Sequence, residues 1–450
     1  MNHTRPTLRH DILPLIRLGM PLVGSSIAAF AIHMTDTIML GWYDVTALAA
    51  VTLGSSWWFI LYIFGAGFGF AVMPLVAAAA AKGDDTRARR VTRMAFWLSL
   101  AFFAAVLPLL WWSGTIFLWM GQQVVIAGEA QKYLRIAGFG IAPGLLVVVL
   151  RSYLSAQHMT AILLWVTLGG VVFNAGVNYI LIFGNFGAPE LGIRGAAMAS
   201  VLIQTLTMLI LAVYSNLKLP EIKLFQRIWK ADGEALSQVF RMGVPIGLTS
   251  LAESGLFSAS AVMMGWIGEL ELAAHGIALQ LAALAFMFHV GMSQASTIRA
   301  GGDYGRNDAV GLRRTAWASL IVGLSFSVIV VSTFTTIPEV LVGLFVDPLE
   351  PQRVALITIA AKLLMFAALF QFVDAGQIIA LSLLRGVQDT AVPMWLATIS
   401  YWIIGLPAGY VLAFVVGLNE VGLWLGLCIG LGMAALTLMW RFWARSVKIG

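Results

Sequence analysis

Arg17-Leu-Gly-Met-Pro21 returns as Arg241-Met-Gly-Val-Pro245, a shift of 224 residues. At the same shift, Met39-Leu-Gly-Trp42 returns as Met263-Met-Gly-Trp266, and Leu48-Ala-Ala50 as Leu272-Ala-Ala274. Looser echoes follow: Gln157 with Thr160 in Gln388 with Thr390, and Tyr179 and Gly192 in Tyr410 and Gly422. Chance gives one such match, but not readily a set in constant order. The chain reads as an internal duplication.

Around these echoes lie twelve apolar runs, each long enough to cross a bilayer, which takes about 20 residues. Their limits are close to 14–41, 47–79, 94–113, 132–155, 160–184, 195–216, 238–266, 273–298, 312–337, 355–383, 391–416 and 422–444. Runs longer than a perpendicular span fit by tilting or by extending past the hydrocarbon. The expected fold is an all-α polytopic membrane protein, with twelve transmembrane helices in two pseudo-symmetric six-helix bundles. Six spans per repeat is an even number, so both repeats enter the membrane with the same orientation. They form parallel repeats about an axis near the membrane normal. A cavity between two such lobes can open to either side by rocking. The longest polar connection, 217–237, contains Pro220 and reads as a cytoplasmic linker between an N-terminal lobe, 1–216, and a C-terminal lobe, 238–450.

Composition agrees. Of 450 residues, 60% are hydrophobic and 11% charged, too few charges to cover a soluble surface. The net charge of +6 does not indicate nucleic acid. The basic residues lie in connections between apolar runs, and no soluble segment is long enough to present a basic face. Sorting the connections alternately to two sides divides the 27 Lys and Arg residues 22 to 5, Arg5 among the 22. The positive-inside rule then puts both termini in the cytoplasm of a bacterial inner membrane. The lone Cys428 excludes a disulfide framework. The first apolar run has no small-residue cleavage site after it, so it reads as a retained helix.

Of 21 acidic residues, three fall deep inside spans: Asp36, Glu253 and Asp374. A carboxylate at mid-bilayer costs several kcal/mol unless paired, protonated or hydrated, and such residues mark ion and substrate pathways. A structural ion pair would need an intramembrane Lys or Arg, and none lies near midspan. Two carboxylates close together favour one bound cation, either H+ or Na+, because it relieves their repulsion. Glu253 and Asp374 both belong to the second repeat, so they can form one site, while Asp36 forms another. Asn174 and Asn178 share a helix face at i, i+4. They read as an interhelical hydrogen bond or as a polar wall beside Asp36. His33, His275 and His289 read as structural histidines or relay members. Pro21, Pro245 and Pro407 bend their helices, as static kinks or as hinges. Trp57, Trp58, Phe286, Met287 and Phe288 either pack the bundle or line a cavity for flat cations. Phosphate loops, metal-ligand clusters and nucleophile–base pairs are missing from the sequence, so neither an enzyme nor a cofactor is expected.

At this point the chain resembles the multidrug and toxic compound extrusion (MATE) family, and most closely its NorM-type branch. The patches that carry the resemblance are Asp36-Thr-Ile-Met-Leu-Gly41, Gly184-Asn-Phe-Gly-Ala-Pro-Glu-Leu-Gly192, Ala273-Ala-His275, Gln371-Phe-Val-Asp-Ala375 and Ser382-Leu-Leu-Arg-Gly386. It covers nearly the whole chain. The resemblance implies a MATE-type fold and a secondary antiporter that expels organic cations and drug-like compounds against inward Na+ or H+. It implies a coupling-cation site at Glu253 and Asp374 and a first-lobe polar site at Asp36, Asn174 and Asn178. His275, Gln280, Phe370, Phe288 and Trp57 are further candidates. The family often has Tyr four residues before the aspartate of the tenth span, where this chain has Phe370. A hydroxyl ligand is thereby lost, which leaves the ion open. Water or a backbone carbonyl could substitute for it in a Na+ site, and a proton site needs none. A monomer among membrane lipids is expected, without nucleic acid. The alternative is a flippase of related shape for lipid-linked precursors or polysaccharides, but its phosphates would call for a cationic cavity. A membrane-embedded enzyme lacks its constellation, and a channel suits the two-lobe repeat less well.

Overall fold

The computed structural model describes residues 9–448, with backbone alone for 9–10 and 45–48. Arg5 and the side chain of Leu48 lie outside these residues. Among the described residues there is no strand, and twelve helices are long and apolar enough to span a membrane. They are α1 (Asp11–Tyr43), α2 (Ala49–Ala81), α3 (Asp85–Trp111), α4 (Val124–Ala156), α5 (Ala161–Phe183), α6 (Ile193–Lys218), α7 (Gly233–Ile267), α8 (Glu269–Gly305), α9 (Ala309–Thr336), α10 (Arg353–Gly386), α11 (Ala391–Val415) and α12 (Asn419–Ser446). A lipid solvent leaves no other partner for the backbone, so each apolar run satisfies its own N–H and C=O groups as helix. The count and order match the expectation from sequence. The helices run past the apolar stretches: α4 starts at Val124, not near 132, and passes through a 3-10 turn at Gly138–Gly140.

Contacts divide the chain into two units, Met1–Val23 with Leu248–Gly450, and Gly24–Gly247. These units differ from the two repeats. Both divisions fall inside helices, two residues past Pro21 and Pro245. The start of α1 therefore packs with second-repeat helices, and the start of α7 with first-repeat helices. Glycines make both approaches possible. A Cβ on Gly67 of α2 would lie 2.4 Å from the Gly243 carbonyl oxygen and 2.6 Å from the Gly247 nitrogen of α7. A Cβ on Gly291 of α8 would lie 2.4 Å from the Val23 nitrogen of α1. Gly67 and Gly291 are themselves 224 residues apart, so the duplication preserves the crossing. Beside the second crossing, Arg299 of α8 donates to the carbonyl oxygen of Asp11, and to its carboxylate at 2.9 Å.

The 217–237 segment is not a loose linker. Ile222 and Leu224 are buried, and Phe225 stacks on Phe96 of α3 with ring centroids 6.1 Å apart. Arg93 donates to the carbonyls of Gln226 and Arg227 at 2.7 and 3.0 Å, and the Trp97 indole donates to that of Ile228 at 2.8 Å. Arginines read from sequence as topology signals thus also hold the chain between the repeats. Arg90 donates to both carboxylate oxygens of Asp232, the second at 3.0 Å, and to Glu234 at 2.9 Å. Hydrogen bonds from Arg90, followed by the Ala235 N–H, pull the Asp232 carboxyl down to about 2. A carboxyl whose folded pKa is depressed adds stability above its ordinary value of 3.8 and loses it as pH falls toward 2. Asp232→Asn is therefore expected to lower thermal stability at pH 7 by about 1 kcal/mol or less, since Arg90 is partly solvated. Melting of both proteins at pH 7, 5 and 2.5 checks this. The gap should close between pH 5 and 2.5, and a constant gap would refute the assignment.

In α11 the winding is mostly π, at Ile399–Gly405 and Val411–Val415, on either side of Pro407. Proline has no N–H to give, and the Leu406 N–H reaches back to the Tyr401 carbonyl. This helix meets α12 through small residues. Gly405, Gly409 and Ala413 face Gly430, Gly426 and Gly422, spaced by four on each helix. Small residues at that spacing let transmembrane backbones touch.

Candidate functional site

Each unit holds one polar cluster inside its apolar helices. In the unit containing α10, Gln371, Asp374 and Gln377 recur every three residues, and all three are buried. Glu253 on α7 is half-buried, and its charge acts on Asp374. Gln377 lies within hydrogen-bonding reach of Glu253 and donates from Nε2 to the Tyr401 hydroxyl at 2.6 Å. Trp402, next along the π segment, donates to the Ala252 carbonyl at 3.0 Å and so pins α11 beside Glu253. The structure thus brings the two second-repeat acids together, as their shared repeat predicted.

The expectation that no basic residue lies near them needs correction. Arg385, which the run lengths place in a connection, ends α10 inside its helix, and its charge acts on both Glu253 and Tyr401. The helix extends past the apolar run because its backbone bonds continue through Leu383, whose carbonyl accepts from the Val387 N–H at 3.1 Å.

Phe370 is buried in an edge-to-face series. It contacts Phe257 at 5.9 Å and Trp424 at 5.8 Å, and Trp424 contacts His275 at 5.6 Å. His275 is buried, and neither ring nitrogen has a hydrogen-bond partner among the described residues. The structure gives it an aromatic neighbour, not a carboxylate. His289 lies 3.4 Å from the Ser327 hydroxyl, and Phe288 stacks on Phe326 with centroids 3.7 Å apart. Gln280 is half-buried on α8.

The second cluster lies in the unit Gly24–Gly247. Asn178 Nδ2 donates to Asp36 at 2.6 Å and to Asn174 Oδ1 at 3.3 Å. Both asparagines are fully buried, and the Asn174 Nδ2 and Asn178 Oδ1 atoms have no partner among the described residues. Their i, i+4 spacing on α5 does put them on one face, turned toward Asp36 of α1. His33, one turn before Asp36, is exposed. Trp57 packs edge-on against Phe117 at 6.1 Å. Arg151 donates to Ser25 at 2.9 Å, and Ser25 pairs with Thr167 at 2.8 Å.

Among the described residues, no three His, Cys, Asp or Glu side chains gather as a metal cluster. What the α10 cluster offers is oxygen: two carboxylates, the Gln377 amide oxygen and the Tyr401 hydroxyl. Such a hard, anionic donor set suits a proton or an alkali cation, not a soft metal. Sequence reading missed Gln377, Tyr401 and Arg385. The amides at Gln371 and Gln377 were a usable signal, since polar residues three apart in an apolar span demand partners. Tyr401 had none, because the π winding that turns it inward leaves no mark in hydropathy.

The MatE family model matches residues 21–180 and 245–411, once in each half. A protein of Rhizobium meliloti (strain 1021) called "Probable multidrug resistance protein NorM" is 42% identical over 428 residues, 94% of this chain and 91% of that protein. One of the same name from Agrobacterium fabrum is 40% identical, over 94% of this chain and 92% of that protein. Among solved structures, an outward-facing multidrug resistance MATE family transporter superposes with a TM-score of 0.87 at 20% identity, covering 98% of both chains. A MATE structure in a bent conformation gives 0.86 at 20% identity, covering 98% of this chain and 97% of that one. With its twelve spanning helices, the chain belongs to the MatE family, on the NorM-type branch, as a multi-pass membrane transporter and not an enzyme.

Proposed function

We propose that this protein is a multidrug efflux antiporter of the bacterial inner membrane, exporting organic cations in exchange for inward Na+ or H+. The observation that carries the reading is the pairing of Glu253 with buried Asp374 on two helices of one unit. Two carboxylates held together in low dielectric repel each other, and one cation relieves that repulsion. Binding that cation stabilises one orientation of the two lobes over the other, and differential affinity for the orientations supplies the coupling. Asp36, with Asn174 and Asn178, serves as a separate acceptor for a proton or for the cationic cargo. The aromatic residues Trp57, Phe288 and Phe370 contribute apolar faces. Both termini face the cytoplasm, in keeping with the Lys and Arg bias, and the protein works as a monomer among membrane lipids. The names of the relatives, which concern multidrug resistance, support the choice of cargo.

The test is reconstitution in liposomes with a fluorescent organic cation and separately imposed Na+ and pH gradients. Saturable transport driven by one of the gradients is expected, and the active gradient names the ion. Transport that ignores both gradients would overturn the proposal.

A further inference from the structure

Asp374, Gln377, Leu381 and Arg385 fall at i, i+3, i+7 and i+11 on α10, so one helix face carries all four. Arg385 lies about 16 Å along the axis from Asp374, three turns away, and its long side chain is half-buried. From α7, Glu253 faces this same row at Gln377. From α11, Tyr401 faces it through its 2.6 Å bond with Gln377. Among the described residues no contact ion pair joins Arg385 to Glu253, so the guanidinium acts on the carboxylate across a gap. It leaves the carboxylate oxygens open to another cation. Two carboxylates and one guanidinium carry a fixed charge of −1.

We propose that Arg385 is a positioning residue that sets the charge of the Glu253–Asp374 site, so that the site takes one monovalent cation per cycle and releases it. This inference rests on the reading of Glu253 and Asp374 as the coupling site. An arginine stays charged even when buried, so it supplies a fixed charge that the transport cycle cannot titrate away. Without Arg385 the site carries −2. It then holds its first cation more tightly and has room for a second. A lysine at this position restores the charge and with it the single occupancy. Release into the cytoplasm is the step that suffers when Arg385 is neutral, because a more negative site holds its cation longer.

The experiment uses the full chain in lipid nanodiscs and reads intrinsic tryptophan fluorescence. Trp402 is a built-in reporter, bonded to the residue before Glu253. NaCl is titrated at fixed pH, and pH is titrated at fixed Na+, for wild type, Arg385→Gln, Arg385→Lys and Asp374→Asn. For Arg385→Gln the expected result is at least a tenfold fall in the half-saturating cation concentration and a slope above one. Arg385→Lys should stay within threefold of wild type, with a slope of one. Arg385→Gln matching wild type in midpoint and slope would overturn the inference. If Arg385→Gln does not fold, Arg385→Lys decides: a tenfold change in its midpoint would overturn the role of charge. Asp374→Asn separates the two readings. Wild-type titration by that variant would mean that the coupling site itself is misassigned. Loss of its titration alongside an unshifted Arg385→Gln would defeat only the role of Arg385.

Discussion

Asp374→Asn is expected to reduce gradient-driven export of an organic cation by roughly 100-fold or more, while the protein still inserts and folds. The substitution keeps the shape of the side chain and removes its charge. At an effective dielectric near 20 and a distance near 6 Å, a carboxylate attracts a monovalent cation by about 3 kcal/mol. Each 1.4 kcal/mol is about tenfold in occupancy, which gives the stated loss. Stability should move the other way. Asp374 is 2% exposed, and a second carboxylate acts on it. Replacing a buried charge by a neutral amide removes a desolvation cost, so thermal stability should hold or rise. Two measurements on one preparation check this: transport in proteoliposomes and melting in detergent. Normal export with an intact fold would remove Asp374 from the mechanism. Lost export together with lost fold would make the residue structural.

Gly426→Val is expected to be the more damaging change to the fold. A Cβ at Gly426 would lie 2.2 Å from the Cα of Gly409 and 3.0 Å from the carbonyl oxygen of Gly405. The opposing atoms are backbone, which has no rotamer to escape into. The two helices would have to separate, breaking the contacts of Gly405 with Gly430 and of Gly422 with Ala413 on either side. Overpacking a core typically costs 1–3 kcal/mol, and with backbone on the far side about 3 kcal/mol or more is expected. The readout is the temperature at which the solubilised protein loses its monodisperse peak, with a drop of at least 10 °C expected. Gly128→Ala is the control, because a Cβ there meets nothing within 4 Å. Equal behaviour of the two variants would show that the α11–α12 contact is not close packed.

The fold was largely readable because its main signals are long and redundant. Twelve apolar runs, an alternating charge bias and a repeat at one constant shift all pointed the same way. The acids were readable for a related reason, since Asp36, Glu253 and Asp374 stand out against apolar neighbours. What surrounds them was less so. Arg385 sits where hydropathy ends but the helix does not, so a run-length reading placed it in a connection. Tyr401 turns inward through i→i−5 winding, which composition does not encode. The 217–237 segment looked like a spacer because its apolar residues are few. Yet Ile222 and Leu224 are buried, and its carbonyls are held by Arg93 and Trp97, contacts more than 130 residues apart in sequence.

The glycine crossing at Gly291 also sets a timetable for synthesis. The partner of Val23 is made 268 residues after it. At roughly 5–20 residues per second, the start of α1 waits on the order of 15–50 s for its neighbour. The unit Gly24–Gly247 has no such delay, because its pieces emerge consecutively and the opening turns of α7 meet α2 and α3 already made. That unit can close while the ribosome is still translating, whereas the other closes only once α8 has entered the membrane. A chain interrupted between these two moments would expose the unpaired start of α1, the segment a membrane quality-control protease would meet first.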